Sequence, residues 1–139
     1  MNDYSDIIFL MASMIMLSMI TLNTSKTYLT SQDQIIRTQL EYRTMSAAQD
    51  QIDAIRWVTS SNQLDPSSGT YIFTNYFITQ YVTYGEGEKY SETITINAST
   101  QLVEDTATME RYRVTVTAST DAVTPNINVT LDYLKSFTK

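Results

Sequence analysis

Between Asp6 and Lys26 the chain carries no charge, and Ile7 to Ser25 reads IIFLMASMIMLSMITLNTS. A bilayer core is about 30 Å thick and a helix rises about 1.5 Å per residue, so this stretch is just long enough to cross as a helix. Its flanks are unusual. An amino-terminal anchor normally has Lys or Arg ahead of its apolar run, because the basic side stays cytoplasmic; here that flank holds only Asp3 and Asp6. A secretory signal would also need a basic start, a shorter apolar core and a small-x-small cleavage site. The expectation is that a basic leader preceding Met1 was removed, leaving a mature chain that begins with acids and then inserts.

The apolar signal continues beyond the span with a different pattern. Tyr28, Ile35, Tyr42, Met45, Ala48, Ile52, Ile55 and Val58 recur at steps of three, four or seven, one stripe of a helix whose polar face holds Gln32, Asp33, Arg37, Glu41, Arg43, Gln49, Asp50, Asp53 and Arg56. Neither Gly nor Pro interrupts before Pro66. A continuous helix from about residue 4 to 60 is expected, on the order of 80 Å long. The turn formers from Ser60 to Gly69 end it.

From there the period becomes two. Ile94, Ile96 and Ala98 alternate with Thr93, Thr95 and Asn97, while Tyr112, Val114, Val116 and Ala118 alternate with Arg113, Thr115 and Thr117. Ile127, Val129, Leu131 and Tyr133 repeat the pattern, and residues 71–84, apolar on both faces, read as one central strand or two strands. Turns are expected at Gly85-Glu86-Gly87, at 104–109 and at 121–126, making the strands antiparallel neighbours. A sheet with one apolar face must cover it, and the amphipathic half of the helix is the only element left to do so. The fold class is α+β: a long amino-terminal helix, apolar then amphipathic, packed on a three- to five-stranded antiparallel sheet. The divisions are 1–27 for the apolar half, 28–62 for the amphipathic half and 63–139 for the sheet.

Composition excludes several functions. A net charge of −6 and a pI near 4.4 oppose nucleic-acid binding, which needs clustered Lys and Arg. Cysteine and histidine are both absent, which removes thiolate chemistry, disulfides and Cys- or His-based metal sites. No nucleophile–base spacing suggests an enzyme, and no cofactor is implied. Glu86/Glu88 and Glu104/Asp105 fall in turns without calcium-loop spacing and read as solvated charges. Ser and Thr make up about a quarter of the chain and suit a hydrated outer face. Three sequons begin at Asn23, Asn97 and Asn128; strand alternation puts the latter two on the polar face as glycosylation candidates.

This layout resembles that of type IV pilins and pseudopilins: an uncharged amino-terminal half-helix, an amphipathic second half and an antiparallel sheet packed on it. Asp6, followed by Ile7-Ile8-Phe9-Leu10-Met11, is similar to the acid that the family carries near the start of its apolar run. The resemblance implies a structural subunit held in the cytoplasmic membrane by its helix and then drawn by assembly machinery into an extracellular helical homopolymer. The residues implied in subunit packing are Asp3, Asp6, Ile7, Ile8, Phe9, Leu10, Met11, Met14, Ile15, Leu17, Met19 and Ile20, with Asp6 or Asp3 meeting a neighbour's α-amino group. Lys26 lies about 30 Å further along the helix, too far to serve that carboxylate in an unshifted stack. A single-pass anchored binding module and a viral coat or membrane protein remain as alternative readings.

Overall fold

The structure is a computed structural model that describes residues 3–139, and of Asp3 the backbone alone. Helix α1 runs from Asp3 to Arg56, followed by strands β1 (Phe77–Tyr84), β2 (Tyr90–Asp105), β3 (Met109–Thr120) and β4 (Ile127–Thr138). The residues fall into two compact units, Met1–Ile36 and Arg37–Lys139. In the first, every described residue is helical. In the second, the rest of α1 packs on a four-stranded antiparallel sheet ordered β1-β2-β3-β4. This is the α+β arrangement that the period change implied.

Helix α1 stops four residues before the expected limit. The N–H groups of Trp57 and Val58 bond to the carbonyls three residues back, Ala54 and Ile55, which tightens the last turn, and Ser60 is already extended. The Lys135 ammonium of β4 donates to the Arg56 carbonyl, supplying a cation to the negative end of the helix.

The sheet's inner face is the expected one. Ile94, Ile96, Tyr112, Val114, Val116, Ala118 and Ile127 are buried, and Val129, Leu131 and Tyr133 are half-buried on the same side. The helix stripe is only partly as expected. Ala48, Ile52 and Ile55 are buried, but Tyr42 and Met45 are 73% and 52% exposed, and Tyr28 and Ile35 are exposed as well. The buried row is instead Leu40, Thr44, Ala47, Ala48, Ile52 and Ile55. Its steps of three and four come round in register with the sheet, whereas Tyr42 lies about 200° from Leu40 at 100° per residue. Small side chains at 44, 47 and 48 let the helix approach closely, and the buried Thr44 hydroxyl donates to the Leu40 carbonyl at 2.7 Å, so no polar group is stranded.

Residues 71–84 form one edge strand preceded by turns, not a central strand. Tyr71, Phe73 and Tyr76 meet edge to face, with ring centroids 5.8 and 5.0 Å apart, and Phe73 is buried with Leu64. The Tyr76 N–H returns to the Phe73 carbonyl and Asn75 takes φ 52°, so the chain cannot extend before Phe77. The stretch 71–76 is pinned at both ends: the Tyr71 hydroxyl accepts the Thr100 N–H at 3.3 Å, and Tyr76 donates to Gln51 Oε1 of α1.

The β1–β2 turn depends on Gly85. Its φ is 83°, and a Cβ there would sit 2.7 Å from Cδ2 of Tyr90, whose ring stacks on Tyr84 at 5.5 Å. Strand β2 continues to Asp105, just into the turn expected at 104–109, through an irregularity at Leu102/Glu104 that leaves Leu102 and Val103 both exposed. Among the described residues no buried side-chain polar atom lacks a hydrogen-bond partner.

Candidate assembly surface

The surface that the fold leaves uncovered is the first half of α1. Five consecutive residues, Ile7, Ile8, Phe9, Leu10 and Met11, step round the full circumference at about 100° each and are 55% to 73% exposed. Met14, Ile15, Leu17, Met19 and Ile20 continue this surface and are exposed to the same degree. A helix that is apolar all round is a membrane span or the core of a larger assembly. The helix is long and apolar enough to cross a membrane, with a mean hydropathy of 2.0 over its best window and none of that window buried within the chain.

Three of the hydroxyl side chains within the span are arranged for such surroundings. Ser13 donates to the Leu10 carbonyl at 2.8 Å, Thr21 to Leu17 at 2.8 Å and Thr24 to Ile20 at 2.9 Å. Each hydroxyl proton is satisfied by the helix's own backbone, so these residues can leave water without an unpaired donor.

Asp6 is exposed one residue before the apolar run. Asp3, the other acid proposed for pairing, has a side chain outside the described residues. Asn97 and Asn128 are both exposed on the outer face of the sheet, beside Thr117 and Ser119 on β3, and the Asn23 side chain is exposed on α1. Glu88 lies 3.9 Å from Arg43, Glu104 lies 3.0 Å from Arg111, and Asp105 pairs with Lys139. Among the described residues no three His, Cys, Asp or Glu side chains converge as a metal site would require.

Within the second unit, Tyr42 stands between two open grooves. One, of about 440 Å³, is lined by Arg37, Glu41, Met45 and residues 126–129; the other, of about 650 Å³, is lined by Gln39, Arg43, Tyr84, Gly85 and Glu88. Arg37 Nη1 donates to the Pro125 carbonyl at 3.1 Å, and the Gly85 N–H donates to Gln39 Oε1 at 3.0 Å, so α1 is tied to turns on both sides of Tyr42. Burial raises the pKa of Tyr84, helped by the negative charge of Glu92. The exposed Tyr42 and Met45 escaped the sequence reading because apolar residues at helical spacing were all assigned to the core. The two stripes differ in side-chain size, since Thr44, Ala47 and Ala48 mark the side that fits closely against a sheet.

Comparison with protein-family models, with curated proteins and with solved structures found no significant match.

Proposed function

We propose that this chain is a structural subunit of an extracellular pilus-like helical filament, held in the cytoplasmic membrane as a precursor and assembled through the first half of α1. The observation that carries the reading is the uncharged helical surface of residues 7–25, exposed all round, beside a sheet unit that completes its own core. Lipid and a sheath of identical helices remove the same apolar area from water, at about 25 cal/mol per Å², so one span serves both stages. Met11, Met14, Met16 and Met19 suit the exchange, because their flexible thioethers repack against differently oriented neighbours. In the packed state Asp6, with Asp3 as the alternative, takes the α-amino group of an adjacent copy as its counter-ion, since an unpaired carboxylate beside an apolar core costs several kcal/mol.

The test is Ile15→Asp beside Ile15→Leu, scored by electron microscopy of surface material and by the amount of protein in the membrane. Ile15→Leu should form normal filaments, and Ile15→Asp should form none, because it places a carboxylate in a dry core. Normal filaments from Ile15→Asp would overturn the proposal. A chain that remains a single-pass protein with no filament from the native sequence would favour an anchored binding module.

A further inference from the structure

The sheet has three free stretches of edge, and they are protected unequally. Strand β4 carries Asp132 and Lys135. The second half of β2, beyond its pairing with β1, carries Glu104, Asp105 and the irregularity at Leu102/Glu104, and its Thr100 N–H is taken by the Tyr71 hydroxyl at 3.3 Å. These are the usual defences against strand addition: charge, a bulge and a covering group. Among the described residues, strand β1 has none of them. Its eight residues, FITQYVTY, hold no charge, no Pro and no Gly, and they pair with β2 from Phe77↔Asn97 to Tyr84↔Tyr90 without a register shift. Among the described residues no further strand pairs with β1 on its other side. Phe77 and Tyr81 on its outer face are 63% and 77% exposed.

We propose that the free edge of β1 pairs antiparallel with β1 of a second copy of this chain, joining two sheets into one of eight strands. The strand is complementary to a second copy of itself. A new strand must keep inner-face residues opposite inner-face residues, so in an antiparallel self-pair only even-numbered residues can face even-numbered ones. The register with Gln80 opposite Gln80 meets this condition. It sets Ile78 opposite Val82 twice on the inner face, an apolar β-branched pair, and Thr79 opposite Tyr81 twice on the outer face. The Gln80 amides then lie at the two-fold axis, each with a donor and an acceptor for the other. The other free edges are charged, and copies with a net charge of −6 approach at least cost where both surfaces are neutral.

The pair is isologous, so the two α1 segments that cover the joined sheet run in opposite directions on one side of it. Two copies in one polar filament cannot be related in this way. If the proposed filament is correct, the contact therefore links separate filaments running in opposite directions. A strand pair alone is far smaller than the roughly 1,000 Å² of a stable interface, so it is weak per copy and gains strength by repetition along both partners.

The absence of cysteine makes the test direct. Opposed residues in an antiparallel pair have Cα atoms about 4.5–5.5 Å apart, inside the range a disulfide spans. The full chain carrying Gln80→Cys should form a disulfide dimer under mild oxidation at least about tenfold faster than the chain carrying Thr130→Cys on β4, because pairing raises the local thiol concentration. Adding Tyr81→Lys to Gln80→Cys should remove the advantage, and near-ultraviolet circular dichroism of each variant verifies that it is folded. Equal cross-linking at 80 and 130, or none at 80, would overturn the proposal. Loss of filaments with cross-linking at 80 intact would count against the filament alone.

Discussion

Removing two methyl groups from Val116 tests the helix-on-sheet packing. Val116 is fully buried on β3, between Ala98 of β2 and Leu131 of β4 in the sheet register. At about 0.8 kcal/mol per methyl group the transfer loss in Val116→Ala is about 1.6 kcal/mol, and the cavity left behind brings the expected cost to about 2–3 kcal/mol. Ala98 cannot fill the space, and the adjoining Ala118 is equally small. For a folding unit of about 100 residues this corresponds to a fall in Tm of about 10 °C or more. The neighbouring Thr115 points the other way, where its hydroxyl donates to Asp132 Oδ1 at 2.6 Å in partly exposed surroundings. Thr115→Ala should cost under about 1 kcal/mol, as exposed bonds to solvated carboxylates generally do. Thermal unfolding followed by near-ultraviolet circular dichroism reads the tyrosines of the sheet unit, with mild detergent keeping the apolar helix dissolved. Equal losses at 115 and 116 would refute the assignment of the two faces.

Gly85→Ala should lower stability by about 1–3 kcal/mol, because it meets both an unfavourable φ and the Tyr90 ring; a neutral effect in the same melt would show that the turn is free to change. Asp65 accepts the Ser67 N–H at 2.9 Å and the Ser67 hydroxyl, which holds its carboxyl below the usual range. A lowered folded pKa means that the contribution is present above the ordinary carboxylate pKa and lost as pH falls from there through the lowered folded pKa, so Asp65→Asn should flatten the acid side of the Tm–pH curve, and parallel curves would contradict this. Asp6→Asn and Asp3→Asn, scored for filament growth against membrane anchoring, should slow assembly in at least one case; normal growth of both would leave the acids as solvated flank charges.

The change from a helical period to an alternating one was enough to read the architecture and the inner face of the sheet, because each face of a half-buried strand is written in every second residue. Three features were not legible in this way. The core side of α1 is legible at Ala48, Ile52 and Ile55 but not before them, because Tyr42 and Met45 fit helical spacing as well as Leu40 and Thr44 do, and spacing without side-chain size does not separate the two rows. The start of β1 is not legible because Tyr71, Phe73 and Tyr76 look like strand residues but pack their rings on one another, with the Tyr76 hydroxyl bonded to Gln51 of α1. The extension of β2 to Asp105 was hidden because the irregularity at Leu102/Glu104 breaks the alternation on which the reading depended. The apolar half-helix was the most legible part of the candidate surface, since an uncharged run between Asp6 and Lys26 needs no partner to be recognised.

In the proposed filament, residues 7–25 of many copies pack together away from both water and lipid. Electron cryo-microscopy of the protein extracted from its membrane and allowed to assemble measures this directly. The expected result is a helical polymer with α1 of every subunit at the axis, Ile7 to Ser25 inside and the sheet units outside. Single subunits, each with its helix alone in a detergent belt and never joined to another, would contradict it.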